Sequence, residues 1–202
     1  MFPKGNIKVT TEQNMKIIGL SASPRKEGNT AWTVGKILEG AKERGSETQR
    51  WRFSELDIKP CLGCLCCQRE GNRGCVIKDD MQTLYTALEQ ADALVFGMPV
   101  YMGQMSAQAK IFTDRLFARI HPRFSPQYKE QAFAKKLLLV FTQGNPDAGM
   151  FRTYFDYVKR MFNLLEFDVK DVIVIAGMRT ESACERKNLD AEMKAVGSSL
   201  VL

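Results

Sequence analysis

Apolar runs of four or five residues, 17–20, 93–97, 137–141 and 172–176, recur along this chain, each followed by a loop and then by apolar residues at helical spacing. Such runs suit strands buried on both faces of a parallel sheet, and the helices between them suit its crossovers. A fifth strand, Gln49–Phe53, alternates instead: Trp51 and Phe53 lie on one side and Arg50 and Arg52 on the other, the pattern of an edge. The helical stretches are carried by Val34, Ile37, Leu38 and Ala41; by Met81, Leu84, Leu88 and Ala91, capped by Asp79 and Asp80; by Ala109, Phe112 and Leu116; by Phe151, Tyr154, Val158, Met161 and Leu165; and by Leu189, Met193, Val196 and Leu200. Five strands alternating with five helices predict an α/β three-layer sandwich, a five-stranded parallel sheet of order 2-1-3-4-5 with helices on both faces. In that order ligands bind at the carboxyl ends of strands one, three and four, where the winding reverses.

The loops at those three ends carry unusual chemistry. Lys16–Thr30 reads as a strand, a hydroxyl-rich turn and a helix beginning near Asn29 and running to Arg44. Unpaired N–H groups at such a helix start attract an anion, and Ser21, Ser23, Asn29 and Thr30 can add hydrogen bonds while Arg25 offers a bidentate fork. The stretch is neither Gly-x-x-x-x-Gly-Lys-Ser/Thr nor Gly-x-Gly-x-x-Gly, which excludes the common triphosphate and dinucleotide loops and points to a monophosphate. A plain strand-to-helix turn with a good cap is the alternative. The second loop, Pro99-Val100-Tyr101-Met102-Gly103, offers an aromatic platform and backbone amides to a planar polar ring, and Thr142-Gln143-Gly144-Asn145 lies beside it in the predicted order. A flavin mononucleotide fits both demands.

With 202 residues, 45% hydrophobic, the chain suits one well-buried domain. Residues 1–14 are polar and aperiodic and are expected to be a flexible extension; 15–202 are expected to form the domain, with a cysteine-rich insertion at 60–78. No apolar run is long enough to span a bilayer, and the N-terminus lacks a signal peptide's apolar core, so a cytoplasmic protein without membrane association is expected. The formal charge of +6 is dispersed and not interleaved with aromatics, so no nucleic-acid partner is expected. His121, the single histidine, argues against a zinc hydrolase or a Ser-His-Asp enzyme and reads as structural.

Five of the six cysteines fall between Cys61 and Cys75, which in a reducing compartment signals metal or redox chemistry rather than disulfides. Cys61, Cys64, Cys67 and Cys75 form Cys-x2-Cys-x2-Cys-x7-Cys, compact enough to wrap a small cubane, with Gly63, Gly71 and Gly74 easing the turns. A zinc knot lacks its usual second Cys-x2-Cys arm, and a reversible dithiol at Cys61 and Cys64 is a further reading. Cys66 departs from the simplest pattern, and Cys184 stands apart.

Ser-Ala-Ser-Pro-Arg-(x3)-Asn-Thr followed by Pro-Val-Tyr-Met-Gly-Gln-Met-Ser-Ala-Gln-Ala-Lys-(x3)-Asp-Arg resembles the flavodoxin-like NAD(P)H-dependent FMN reductases, and more narrowly the iron-sulfur flavoproteins, over residues 15 to 178. The resemblance implies that Ser21, Ser23, Arg25, Asn29 and Thr30 contact the FMN phosphate, that Pro99, Val100, Tyr101, Met102 and Gly103 contact the ring, and that Gln143 and Gly144 line its other edge. It favours a [4Fe-4S] cluster on Cys61, Cys64, Cys67 and Cys75, with NAD(P)H as the electron donor and chemistry carried by the flavin rather than by an acid-base residue. It also implies a homodimer or homotetramer, with the irregular segment 119–134 a candidate lid or interface. Lys110, Asp114 and Arg115 match the family's helix and read as helix surface and subunit packing. Two other functions fit the same residues: a one-electron carrier partnered with a ferredoxin, and a thiol-based redox sensor.

Overall fold

The structure, a computed structural model, describes residues 14–69, 74–119 and 135–201. The readings placed on 1–13, on Gly71 and on 120–134, His121 among them, lie outside these residues. Six strands run Lys16–Ser21 (β1), Glu47–Arg52 (β2), Ala93–Tyr101 (β3), Gln104–Met105 (β4), Lys135–Thr142 (β5) and Phe167–Ile175 (β6). Five helices are Asn29–Glu43 (α1), Met81–Gln90 (α2), Ala107–Arg115 (α3), Arg152–Leu164 (α4) and Leu189–Leu200 (α5). The parallel sheet has the order β2-β1-β3-β5-β6, which is the expected 2-1-3-4-5 once β4, a short antiparallel partner of β3, is set aside.

Strand parity decides the layers. Ile18, Leu20, Leu94, Phe96, Leu137, Leu139 and Phe141 pack with α2, α3 and α4 on one face, while Ile17, Val95, Leu138 and Val140 pack with α1 and α5 on the other. Alternate residues of one strand therefore serve different cores, which is why these strands read as continuous apolar runs. The two edge strands, β2 and β6, instead alternate polar and apolar residues.

One strand differs from expectation. The apolar run of β3 was expected to end at Gly97, with 98–105 as loop. Instead β3 continues to Tyr101 and folds back through Met102 and Gly103, both at positive φ (50 and 78), to pair Val100 with Met105. Pro99 is tolerated because β3 pairs β5 at Thr142, the last residue of that strand, where a missing N–H costs little. The hairpin lifts Tyr101 and a fully exposed Met102 above the sheet's carboxyl edge.

Candidate functional site

α1 begins behind Gly28, whose φ of 169 is ordinary extended backbone and which has no side chain to cap the helix. The first intrahelical bond runs from Trp32 N–H to Gly28 O at 2.9 Å, so the amides of Asn29, Thr30 and Ala31 precede it and face the loop 21–28. Ser23 Oγ accepts from Arg25 N–H at 3.1 Å, curling that loop, and the Arg25 side chain is exposed. Ser21 is 1% exposed and its hydroxyl has no partner among the described residues. An unpaired buried hydroxyl costs about 1 to 3 kcal/mol, so its place beside an uncapped helix start marks a ligand position.

The three loops are stitched together by hydrogen bonds. Ala22 N–H donates to Gly97 O at 2.8 Å, and Ala22 O accepts from Ser106 Oγ at 2.5 Å, the residue that also caps α3. The hydroxyls of Thr30 and Thr142 meet at 2.6 Å, both buried. Thr30 is thus committed to the third loop. Asn29 Oδ1 accepts from Ala183 N–H at 2.8 Å and holds the segment before α5, which leaves only its amide nitrogen for an anion. The close approach of α1 to β3 needs Gly97, where a Cβ would stand 2.4 Å from Val34 Cγ2.

On the ring side, Pro99 is buried, Val100 half-buried and Tyr101 41% exposed. Tyr154 Oη accepts from Met105 N–H at 3.1 Å, so α4 steadies the hairpin. Gln143 is 2% exposed; its Nε2 donates to Asn145 O and Asp147 O at 3.2 and 2.7 Å, while its Oε1 is buried without a partner among the described residues. Gly144 lies under Arg179, whose Cγ would be 2.9 Å from a Cβ at that position.

Sequence reasoning missed two cations at the site. Arg52 pairs in register with Ser21 across β1 and β2, and its guanidinium reaches Glu27 of the loop at 3.3 Å. Its position at the carboxyl end of strand two, beside strand one, was the available signal. Arg179 follows β6 and had no motif to betray it.

The cysteine loop leaves the sheet after β2. Gly63 and Leu65 take left-handed backbone (φ 64 and 55) and curl it, Gly63 N–H points at Cys61 Sγ at 3.5 Å, and none of the cysteines is in a disulfide. Cys61 and Cys64 are exposed; Cys66, Cys67 and Cys75 are half-buried. Hydrogen bonds from the backbone and thiol of Cys66 hold Cys64 below the usual thiol range, whereas burial pushes Cys67 up. Among the described residues no three Cys, His, Asp or Glu side chains stand together as a metal site. The loop ends on Asp79, whose carboxylate meets Arg115 in a fully buried bidentate pair, at 2.7 and 3.1 Å. Arg115 is therefore not helix surface, as expected from the sequence; Lys110 and Asp114 are, and they pair with each other at 2.5 Å.

Taken together, a doubly wound sheet with an uncapped helix start and an aromatic hairpin at its switch point is a flavodoxin-like nucleotide-binding arrangement. The sequence profile of the NADPH-dependent FMN reductase family matches residues 15–181, and the chain belongs to that family, whose cofactor is FMN and whose members are flavin-dependent oxidoreductases. Among curated relatives, an iron-sulfur flavoprotein from Methanosarcina thermophila is 44% identical over 101 residues, 50% of this chain and 52% of its own. Another iron-sulfur flavoprotein, from Methanocaldococcus jannaschii, is 42% identical over 101 residues, 50% and 51% of the two chains. The match thus spans about half the length of these curated relatives. Among solved structures, an NAD(P)H:quinone oxidoreductase from Methanothermobacter marburgensis matches with a TM-score of 0.70 at 16% identity, over 93% of this chain and 98% of that one, a likeness of fold. Among the described residues no helix is long and apolar enough to cross a membrane.

Proposed function

We propose that this chain binds FMN at the three stitched loops and passes electrons from NAD(P)H to an acceptor, with the cysteine loop as a second redox site. The observation that carries the reading is the buried, unpartnered Ser21 hydroxyl beside the uncapped start of α1. In this reading Ser21, Ser23, Arg25 and the first-turn amides of α1 hold the phosphate, with Asn29 contributing its amide nitrogen. Thr30, already bonded to Thr142, contributes its backbone N–H and fixes the distance between phosphate and ring loops. Pro99 to Gly103 and the edge formed by Gln143 and Gly144 face the ring, and the unpaired Gln143 Oε1 can accept from a ring N–H. When bound, FMN accepts hydride and returns electrons singly or in pairs, and the protein supplies position and electrostatics. No separate dinucleotide loop is needed, because a nicotinamide would stack on the exposed ring face.

The donor set Cys61, Cys64, Cys67 and Cys75 suits a [4Fe-4S] cluster in its chemistry: four free thiols on one loop, two left-handed turns and a backbone N–H aimed at sulfur. The relatives' printed names support the same choice. We also read the protein as a cytoplasmic homo-oligomer. Exposed Met102, Met150 and Tyr157 sit on the hairpin and on the start of α4, whose Tyr154 is bonded to that hairpin, and sedimentation of a 22.8 kDa species alone would remove the oligomer.

Anaerobic mixing with NADPH or NADH tests the function: rapid bleaching of the flavin is expected. Reduction by a reduced ferredoxin but by neither nicotinamide would convert the reading to an electron carrier. Arg25→Ala should weaken FMN binding by roughly 1.5 to 3 kcal/mol, the worth of a charge-assisted hydrogen bond, as read by flavin fluorescence titration. Unchanged affinity would take Arg25 out of the site.

A further inference from the structure

The cysteine loop is closed at its base by a set of bonds that converge on one helix. Asp57 N–H donates to Asp80 Oδ2 at 2.8 Å and Asp80 N–H returns to Asp57 O at 3.2 Å. Two residues further up, Lys59 N–H donates to Asp79 Oδ2 at 2.9 Å, and Lys59 O accepts from Arg115 Nη1 at 2.8 Å. The same guanidinium makes the bidentate pair with Asp79, and both side chains are 0% exposed. Arg115 thus holds the chain immediately before Pro60-Cys61 and the chain after Cys75 at once.

The bonds around this pair answer its burial. Asp79 takes a further bond from Met81 N–H at 3.1 Å. Burial alone would raise its pKa, but the hydrogen bonds from Arg115, Lys59 and Met81 outweigh that and leave the carboxyl below its usual range. Tyr85 Oη donates to Arg115 O at 2.6 Å, so α2 fixes the backbone from which the guanidinium reaches. Further out, Gln68 Nε2 donates to Phe117 O at 3.1 Å, and Gln82 Nε2 to Cys75 O at 3.2 Å.

α3 is also tied at its other end. Ser106, its cap, donates to Ala22 O in the loop read as the phosphate site, and the hairpin 101–105 leads directly into it. A helix of 9 residues, about 13 Å long at 1.5 Å per residue, therefore joins the flavin loops to the cysteine loop as one rigid spar.

We propose that Arg115 is a positioning residue for electron transfer: through Asp79 and Lys59 it clamps the base of the cysteine loop to the far end of α3, and so fixes the loop's separation from the flavin loops. The clamp rests on geometry that needs no cofactor, and its electron-transfer meaning rests on the function proposed above. Arg115→Lys keeps a positive charge beside Asp79 but loses the planar fork that spans a carboxylate and a carbonyl together. Asp79→Leu with Arg115→Met removes the clamp while leaving apolar side chains in the buried space, a replacement that buried ion pairs often tolerate.

Hydrogen exchange on the purified protein reads the clamp directly. In both variants the amides of 57–69 should exchange about tenfold or more faster, while those of β3 and β5 keep their protection and FMN affinity stays within about twofold. Iron and sulfide per flavin should fall in an anaerobic preparation. Unchanged exchange at 57–69 in either folded variant overturns the proposal, and so does an equal gain in exchange across β3 and β5, which would make the pair a general core element. Failure of both variants to fold would mean the same. Wild-type protein that binds no FMN would instead defeat the function proposed above and leave the exchange result standing.

Discussion

Gly197→Ala should destabilise the protein, although glycine to alanine inside a helix ordinarily gains about 0.5 to 1 kcal/mol. A Cβ at Gly197 in α5 would stand 1.8 Å from Ile37 O, and one at Gly40 in α1 would stand 2.0 Å from Lys194 O. These are backbone atoms and cannot rotate away. The two helices meet backbone to backbone, and the methyl must drive them apart, an overpacking cost of about 3 kcal/mol set against the propensity gain. Gly197→Val adds bulk and β-branching and should lower Tm by roughly 6 to 12 °C, taking about 2 to 4 °C per kcal/mol for a chain of this size. Gly35 is the control. It also lies in α1, but its Cβ would meet only Arg50 Nη1, at 2.8 Å, the movable tip of an exposed side chain. Gly35→Ala should therefore be neutral or stabilising. A thermal melt in which Gly197→Ala matches Gly35→Ala would show that the close helix contact is not needed. The effect should reach the site as well, because α1 carries the uncapped N-terminus and Asn29 holds the segment leading to α5.

How far such features can be read without coordinates depends on whether their cause is local. Buried strands and their order were legible because parity and apolar runs are local facts, and the switch point followed from the order. The strand extension to Tyr101 was hidden by Pro99, which reads as a break until Thr142 is seen to be the last residue of its partner strand. Arg115 was misread for a different reason. A charge on a helix is usually solvated, and its partner lies 36 residues away. Yet Arg115 is three residues after Phe112 and next to Leu116 on the stripe that begins at Ala109, so its place on the buried face was a signal that a charge there needed a buried partner. For the binding loops, residue types announced the chemistry but not its division. Ser21 proved unpartnered, whereas Thr30 and the carboxamide oxygen of Asn29 are spent on holding neighbouring loops.

That division bears on the cysteine loop, for which Cys→Ser at Cys61, Cys64, Cys67 or Cys75 is expected to remove iron and sulfide together, from about four irons per chain toward none, while FMN is retained. A serine hydroxyl is a poor substitute for a thiolate on iron, and each of the four is one corner of the proposed set. FMN should stay because the loops proposed to hold it are joined by Ala22 to Gly97, Ser106 to Ala22 and Thr30 to Thr142, bonds in which no cysteine takes part. The loop should also keep its base, since the Asp57 to Asp80 and Lys59 to Asp79 bonds lie outside the cysteines and Gln82 holds Cys75 by its carbonyl oxygen. Cys66→Ser is the internal control: it falls outside the Cys-x2-Cys-x2-Cys-x7-Cys spacing and should leave the iron content near the parent's. Iron and sulfide assays with flavin content, on protein prepared and kept without oxygen, check all five variants together. Parent protein that carries FMN but neither iron nor sulfide would defeat the cluster and leave a flavin-only reductase. Iron lost equally from Cys66→Ser would mean that the ligands are drawn from a different set of the five thiols, with the hydrogen-bonded Cys64 and Cys66 as the pair to re-examine.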